Sequence, residues 1–481
     1  MKRFLISLFC LYCSSIVDAQ IYFNRIIDHN VPNESGIGII CDSGNFFSHY
    51  MVYSNGASNG YGLIKLDSLG NTIFDRFYPF VGYRAYSGVS GSFIKTLRGD
   101  MVGCGDLTDS LTGVSFGFII IYNNQGDTLY TRLLSDSITL YNLESTSDSG
   151  FICTGSQLIG NSDIVAIKFD KNGNLEWTNH YGGSNDELAV SIKELTSGGY
   201  LISGTALGIC GIKQHYLIKI TSTGAFSWQK CYSADFSEGT IVLSNELQDG
   251  NFLIYGGRNY NNFIYYRPYL AKIDSADGSI IWEKEYGVPL TSISGFGSIG
   301  VCTDNTIFAT VLDGTYSTIY KLSPQGDSLW RKDSIIPSST AAGAFWSIAV
   351  VNENELIIAG QTKPTVGVLN VWIKKFDEWG CDTLGCEFLS VKENKKENSG
   401  ISIYPNPSSD YACLEYDGEE GDSKLTIELF SIEGKIVYSQ SANTSKKMFF
   451  IPLTDIPSGT YFVKASKNNE VLGTKKLVVV K

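Results

Sequence analysis

Two stretches decide the fold: SGGYLISGTALG (197–208) followed by HYLIKITSTGAFSWQKCYS (215–233), and DGNFLIYGG (249–257) followed by PYLAKIDSADGSIIWEKEYG (268–287). In each, a Gly turn opens an apolar strand and a variable loop follows. A further strand then makes a tight turn into a last strand carrying Trp four residues past the turn Gly. The frame runs from residue 21 to about 387. Its turn glycines are Gly70, Gly126, Gly173, Gly224, Gly278, Gly326 and Gly380, at intervals of 47 to 56 residues. Four strands in a period near fifty predict an all-β propeller rather than a helical solenoid.

Four residues past six of these glycines stand Phe74, Tyr130, Trp177, Trp228, Trp282 and Trp330. A large aromatic at one fixed place on every outer strand is expected to cover the blade edge and pack on the neighbouring blade, not to bind ligand. The copy after Gly380 yields no outer strand, because the chain runs into Cys381 and Cys386. The missing strand is expected at the other end. IYFNRII (21–27) matches IFDRFY, LYTRLL and LWRKDS, with Phe23 in the aromatic position. That strand would complete the last blade, close the ring and remove an exposed edge. The expectation is a seven-bladed β-propeller of four-stranded blades over 20–387, a linker over 388–400 and a small β-sandwich over 401–481.

Composition agrees. The 481 residues include 50 Gly and 28 Tyr, with aromatics at 13%. Net charge is −12 without a basic block, which disfavours a nucleic-acid partner. Residues 1–19, MKRFLISLFCLYCSSIVDA, pair a positive start with an apolar run and a small-residue cleavage site, as a signal peptide does. The run is too short to span a bilayer. Phe9 and Tyr12 precede Cys10 and Cys13 where lipid attachment wants a small residue. No later segment is apolar enough to cross a membrane. Nine cysteines remain outside the signal, an odd number. Cys381 and Cys386 in GCDTLGC are expected to close a small disulfide loop, since a zinc site would lack a second ligand pair. Cys210 and Cys231 fall near one another in the fourth blade and form a second candidate pair.

The body resembles the seven-bladed propellers of secreted Bacteroidetes proteins. It is more distantly similar to the tryptophan-docked blades of quinoprotein dehydrogenases, without their eighth blade or any cluster for a quinone. The tail resembles the type A C-terminal sorting domain of type IX secretion, the Por secretion tail. Tyr404-Pro405-Asn406-Pro407 opens it, Ser431-Ile432-Glu433-Gly434-Lys435 matches the family's central turn, Pro457-Ser458-Gly459-Thr460-Tyr461 its G-x-Y strand, and Lys476-Leu477-Val478 its closing strand. The resemblance implies export across both membranes, a partner in the type IX machinery, and release or attachment at the cell surface.

Chemistry is sparse. The four histidines form no HExxH-type pair, and no CxxC, nucleophile elbow or phosphate loop occurs. No metal and no cofactor are expected. Asp170-Lys171-Asn172-Gly173-Asn174 resembles a calcium loop faintly but lacks the downstream Glu and coincides with the repeated turn. Length variation falls on the loops of one face, where propellers generally place function. The aromatic stretch Tyr260, Phe263, Tyr265, Tyr266 and Arg267 lies there, and so do Tyr83, Arg84 and Tyr86. Either group could form a platform for a sugar or a protein side chain, or pack the loops onto the body. The expected function is a monomeric secreted or surface protein that binds a polysaccharide or a protein. A carboxylate-dependent hydrolase or lyase, and a structural surface component, are the alternatives.

Overall fold

The structure, a computed structural model, describes residues 22–381 and 401–481, except 30, 32, 55–56, 88–90, 207–209, 211–213, 233–242, 261–264, 288–294, 313–316, 335–343, 353–354, 366–367, 378, 417–422, 433, 445–446 and 469. Among the described residues every regular element is a strand. β1 (Phe23–Ile27) is followed by the antiparallel meander β2 (Asn33–Asp42), β3 (Asn45–Ser54), β4 (Ala57–Leu66) and β5 (Thr72–Pro79). Next come β6 (Tyr83–Ser87) and β7 (Phe93–Lys95), both paired to β8 (Met101–Asp109), then β9 (Ser115–Tyr122) and β10 (Thr128–Asp136).

Four separate four-stranded sheets follow in order. They are β11 (Ile138–Ser145), β12 (Phe151–Ile159), β13 (Asn161–Phe169) and β14 (Leu175–Tyr181); β15 (Glu187–Glu194), β16 (Tyr200–Ala206), β17 (Gln214–Ile220) and β18 (Phe226–Tyr232); β19 (Leu243–Glu246), β20 (Phe252–Tyr260), β21 (Tyr265–Ile273) and β22 (Ile280–Glu285); β23 (Gly295–Val301), β24 (Ile307–Leu312), β25 (Ser317–Leu322) and β26 (Ser328–Ser334). Last are β27 (Ala344–Asn352), β28 (Glu355–Thr365) and β29 (Val368–Asp377), whose fourth strand is β1. The pair runs antiparallel, Phe23 opposite Lys375 to Ile27 opposite Val371.

Each sheet is covered on both faces, because a separate apolar cluster fills every gap between neighbours. Tyr61, Phe93 and Phe118 join β2–β5 to β6–β10, and Leu143, Phe151 and Ile119 join the latter to β11–β14. Further clusters repeat this along the chain, and Phe23, Phe46, Ile64 and Ile373 join the last sheet to the first. Burial on both faces explains strands that read as nearly continuous apolar runs, such as FIII in β9.

Two series of polar contacts repeat at these joints. On the inner strands a side chain accepts the next sheet's backbone N–H: Asn142 Oδ1 from Ile192 (3.1 Å), Ser298 Oγ from Ile348 (3.3 Å) and Ser347 Oγ from Ile39 (3.2 Å). On the outer strands a tyrosine hydroxyl donates to the turn-glycine carbonyl of the next sheet: Tyr181 to Gly224 (2.6 Å), Tyr232 to Gly278 (2.8 Å) and Tyr286 to Gly326 (2.7 Å), with Tyr78 on Gly126.

The turn glycines lie against the outer-strand aromatics of the preceding sheet. Gly126 faces Phe74, Gly173 Tyr130, Gly224 Trp177, Gly326 Trp282, Gly380 Trp330, and Gly70 faces Phe23. Gly278 has Tyr232 and Lys230 as neighbours instead of Trp228, which packs in the cluster around Leu217 and Tyr269. At Gly326 the backbone φ is +77° and a Cβ would sit 2.8 Å from Trp282 Cζ3, so the position excludes other residues for both reasons.

The tail is a two-sheet sandwich. β30 (Ile401–Tyr404), β31 (Tyr411–Tyr416) and β34 (Met448–Pro452) form one sheet. The other holds β33 (Ile436–Asn443), β32 (Lys424–Ser431), β35 (Gly459–Lys467) and β36 (Glu470–Val479), in that order. Leu425, Ile427, Leu429, Val463, Ile451 and Leu414 make a core of its own.

Candidate binding face

The two ends of the body are built differently. At one end lie short turns that satisfy themselves. Asp67, Asn123, Asp170 and Asp377 each accept two backbone N–H groups of their own turn, at 2.7–2.9 Å. The calcium-like string at Asp170 is one of this set. At the other end lie the β5–β6 and β8–β9 connections, together with the longer β16–β17, β18–β19, β22–β23 and β26–β27 connections.

The aromatic stretch on the β20–β21 hairpin is divided. Phe263 lies outside the described residues, and so do the side chains of Tyr260, Tyr265 and Tyr266. Arg267 is buried and engaged: its guanidinium lies 3.3 Å from Glu285 and donates to the Gly287 carbonyl at 2.7 Å. Arg258 shares Glu285 at 3.1 Å, and the Tyr269 hydroxyl donates to Glu283 at 2.9 Å. Arg267 therefore belongs to a buried ion-pair network with Glu285 and Arg258, and breaking such a pair would strand a buried charge.

The second stretch separates by face. On β6, Tyr83 and Ala85 turn to the cluster around Tyr61, while Arg84 and Tyr86 are exposed on the opposite side. The register sets Tyr86 opposite Asp106 and Arg84 opposite Thr108, so these four side chains share one face of the β6–β8 pair. Thr108 is fixed by a 2.8 Å hydrogen bond to Ser115.

Asp106 has no hydrogen bond or ion pair among the described residues, although it is only 9% exposed. Burial pushes its carboxyl up to about 7, and no neighbouring charge contributes to that rise. The Asp106 charge acts on Tyr141 of β11, which hydrogen-bonds Ser156 of β12; burial, then Asp106, raises the phenol. Asp106, Tyr86, Arg84, Tyr141 and Ser156 thus gather where two sheets meet, at the long-loop end. A buried acid without a protein partner, beside an exposed aromatic and an unpaired cation, is a candidate ligand recess. Nothing in the spacing singled out Asp106 in MVGCGDLTD. Its one signal was an acid directly after the five uncharged residues Met101–Gly105 of a buried strand.

Each of the four histidines packs or bonds within the body, His180 through a 2.6 Å hydrogen bond to Gln157. His29, just past β1, lies between Glu34 and Asp75 (2.5 Å each) and stacks on Tyr50. Asp75 and then Glu34 raise it to about 10, so it is an imidazolium binding the exit of β1 to β2 and β5. His49 stacks between Tyr61 and Phe93, and burial lowers it to about 3. His215 is also lowered to about 3, by burial and then Arg258. Among the described residues no three His, Cys, Asp or Glu side chains could hold a metal. Cys210 and Cys231 are joined by a disulfide, with Cα atoms 5.7 Å apart. Cys381 is disulfide-bonded; Cys386 lies outside the described residues. No helix among the described residues is long and apolar enough to cross a membrane.

In the tail, the motif residues make structural contacts. The Tyr404 hydroxyl donates to Glu415 (2.6 Å), and Asn406 bridges to β36, donating to the Lys476 carbonyl and accepting from the Val478 N–H (2.7 Å each). Pro405 and Pro407 flank Asn406. Gly434 sits at φ +80° in the Ser431–Lys435 turn, and Tyr461 donates to the Pro457 carbonyl at 2.9 Å, its ring against Gly459.

Residues 402–480 match the model of the secretion system C-terminal sorting domain family. The chain therefore carries the tail of an exported protein. Among curated proteins none matches. Solved structures similar to it include the β-propeller domain of the Trilobed protease from Pyrococcus furiosus, with 11% identity, TM-score 0.43 and coverage of 74% of this chain and 97% of that one. Others are the PL25 ulvan lyase, a polysaccharide lyase (9%, 0.46, 72% and 95%), and a Dyadobacter fermentans protein of unknown function (10%, 0.43, 73% and 97%). Likenesses this distant say nothing of what this chain binds.

Proposed function

We propose that the chain is a secreted or surface-attached glycan-binding protein: a seven-bladed propeller, closed by β1, that holds a polysaccharide at its long-loop face and is delivered through the type IX machinery by its tail. Residues 1–19 serve as the signal peptide, 20–387 as the propeller and 388–400 as the linker. The observation that carries the binding reading is the unpartnered, nine-tenths buried Asp106 carboxyl, set opposite the exposed Tyr86. A sugar suits that pair, offering a ring face to the aromatic and hydroxyls to the acid. Burial alone raises Asp106, and among the described residues no second carboxylate acts on it. This speaks against the paired-acid chemistry of a glycosidase at this recess.

A protein partner is the second reading, favoured by Val81 (89% exposed) and Leu111 (96%) on connections tied together by the Ser110 N–H to Gly82 carbonyl bond. Affinity electrophoresis of the full chain in gels carrying a panel of polysaccharides tests the choice. Retardation by at least one glycan, weakened about tenfold by Tyr86→Ala and unaffected by Leu111→Ser, is expected. Retardation lost with Tyr265→Ala/Tyr266→Ala but not with Tyr86→Ala would move the site to the other loop. Release of sugar products, abolished by Asp106→Asn, would make the protein an enzyme. A chain ending at Glu387 is expected to fold and bind as the full chain does.

A further inference from the structure

We propose, resting on the glycan reading above, that the recess is specific for an acidic polysaccharide, whose carboxylate or sulfate pairs with Arg84 while the sugar ring lies on Tyr86 and a hydroxyl reaches Asp106. The argument begins with how this protein treats its other arginines. Arg25 bonds the Gly70 carbonyl, Arg76 pairs with Asp127, and Arg98 bonds the Lys171 carbonyl. Arg132 bonds the Gly173 carbonyl, Arg258 and Arg267 share Glu285, and Arg331 lies over Tyr320. Arg84 alone among the described arginines has neither hydrogen bond, ion pair nor ring, and it is exposed. A guanidinium left unspent in a chain of net charge −12 offers bidentate recognition of an anion that the rest of the surface repels.

Among the described residues few groups face the recess. β6 contributes Arg84 and Tyr86, β8 Asp106 and Thr108, β11 Tyr141, and β12 Ser156, while the Cys104 thiol lies in the apolar cluster with Leu140 and Leu143. The Asp109 carboxylate, at the end of β8, is held by the backbone N–H groups of Leu111 and Thr112. Asp106 is thus the acid whose charge an anionic ligand meets. Below about pH 7 it is neutral and donates a hydrogen bond; above, it is an anion facing an anion. Acidic-glycan affinity should therefore fall as pH rises through neutrality, by about tenfold for two like charges within one Debye length.

The test uses the full chain against polygalacturonate, alginate, hyaluronan and chondroitin sulfate, with dextran and xylan as neutral probes, at pH 5.5 and 8.5. Expected is at least one acidic polymer bound tenfold or more tighter than the neutral ones, and tighter at pH 5.5. Arg84→Gln should abolish that preference without changing the melting temperature. Asp106→Asn should keep the binding and erase its pH dependence. Neutral glycans bound equally well, with Arg84→Gln silent and Tyr86→Ala damaging, would overturn the acidic specificity and leave the glycan reading standing. Acidic binding that survives Arg84→Gln would also overturn it. Binding to none of the six polymers would overturn both.

Discussion

The turn end and the long-loop end of the body belong to the same strands yet handle polar groups in opposite ways. At the turn end, Asp and Asn bond their own turns, each turn glycine backs onto the neighbour's outer strand, and Ser147 and Thr196 each give two hydrogen bonds to the glutamate of the next sheet, Glu194 and Glu246. At the loop end Asp109 holds its own turn and His29 and Arg267 are paired, but Arg84 and the buried Asp106 have no partner among the described residues. Natural proteins leave few buried polar groups unsatisfied, and the exceptions concentrate where a ligand completes the set. The turn end satisfies its polar groups within itself, and the loop end leaves this one pair available.

The largest way to break this contrast lies at the turn end. Trp282→Ala removes the ring that packs on Gly326 and should cost about 3 kcal/mol in urea unfolding, a typical figure for deleting a large packed aromatic. A loss no greater than that of Tyr86→Ala would erase the distinction between the two ends. Gly326→Ala comes next. It places a Cβ against Trp282 at a left-handed φ and should cost about 1–2 kcal/mol.

A pH effect should follow at His29, the locked point of the loop end. Its folded pKa of about 10 lies above the ordinary 6.5, so its stabilisation is fully present below pH 6.5 and is lost as pH rises towards 10. Melting temperature should fall across that window, and His29→Gln should flatten this alkaline fall. An unchanged slope would mean that the Glu34–His29–Asp75 bridge does not hold the end of β1. The smallest effect belongs to Arg84→Gln and Tyr86→Ala, which should each alter unfolding by less than about 0.5 kcal/mol, as exposed substitutions do.

Much of the body was legible in the sequence because its repeat is enforced by short-range geometry. A tight turn demands Gly, and the residue four places on falls at one fixed spot of the outer strand; Phe23, Phe74, Trp177, Trp282 and Trp330 all meet a neighbour's turn there. Trp228 departs from the pattern because Tyr232 and Lys230 take the place beside Gly278. The tail motifs were legible for the same reason, each fixing a turn or bridging adjacent strands. The site was not. Arg267 looked available until Glu285, eighteen residues on, came beside it in the sheet. Asp106 looked like one more strand residue until its burial and lack of partners were visible.

The sequence by itself determined the strand period, the turn chemistry, the place of the outer aromatics and the sorting tail, because each depends on residues a few positions apart. Only the tertiary structure decided which charges are spent and which are left over. That balance is struck between residues far apart in the chain, such as Arg25 and Gly70, Glu246 and Thr196, or Asp106 and Tyr141, and no local spacing records it.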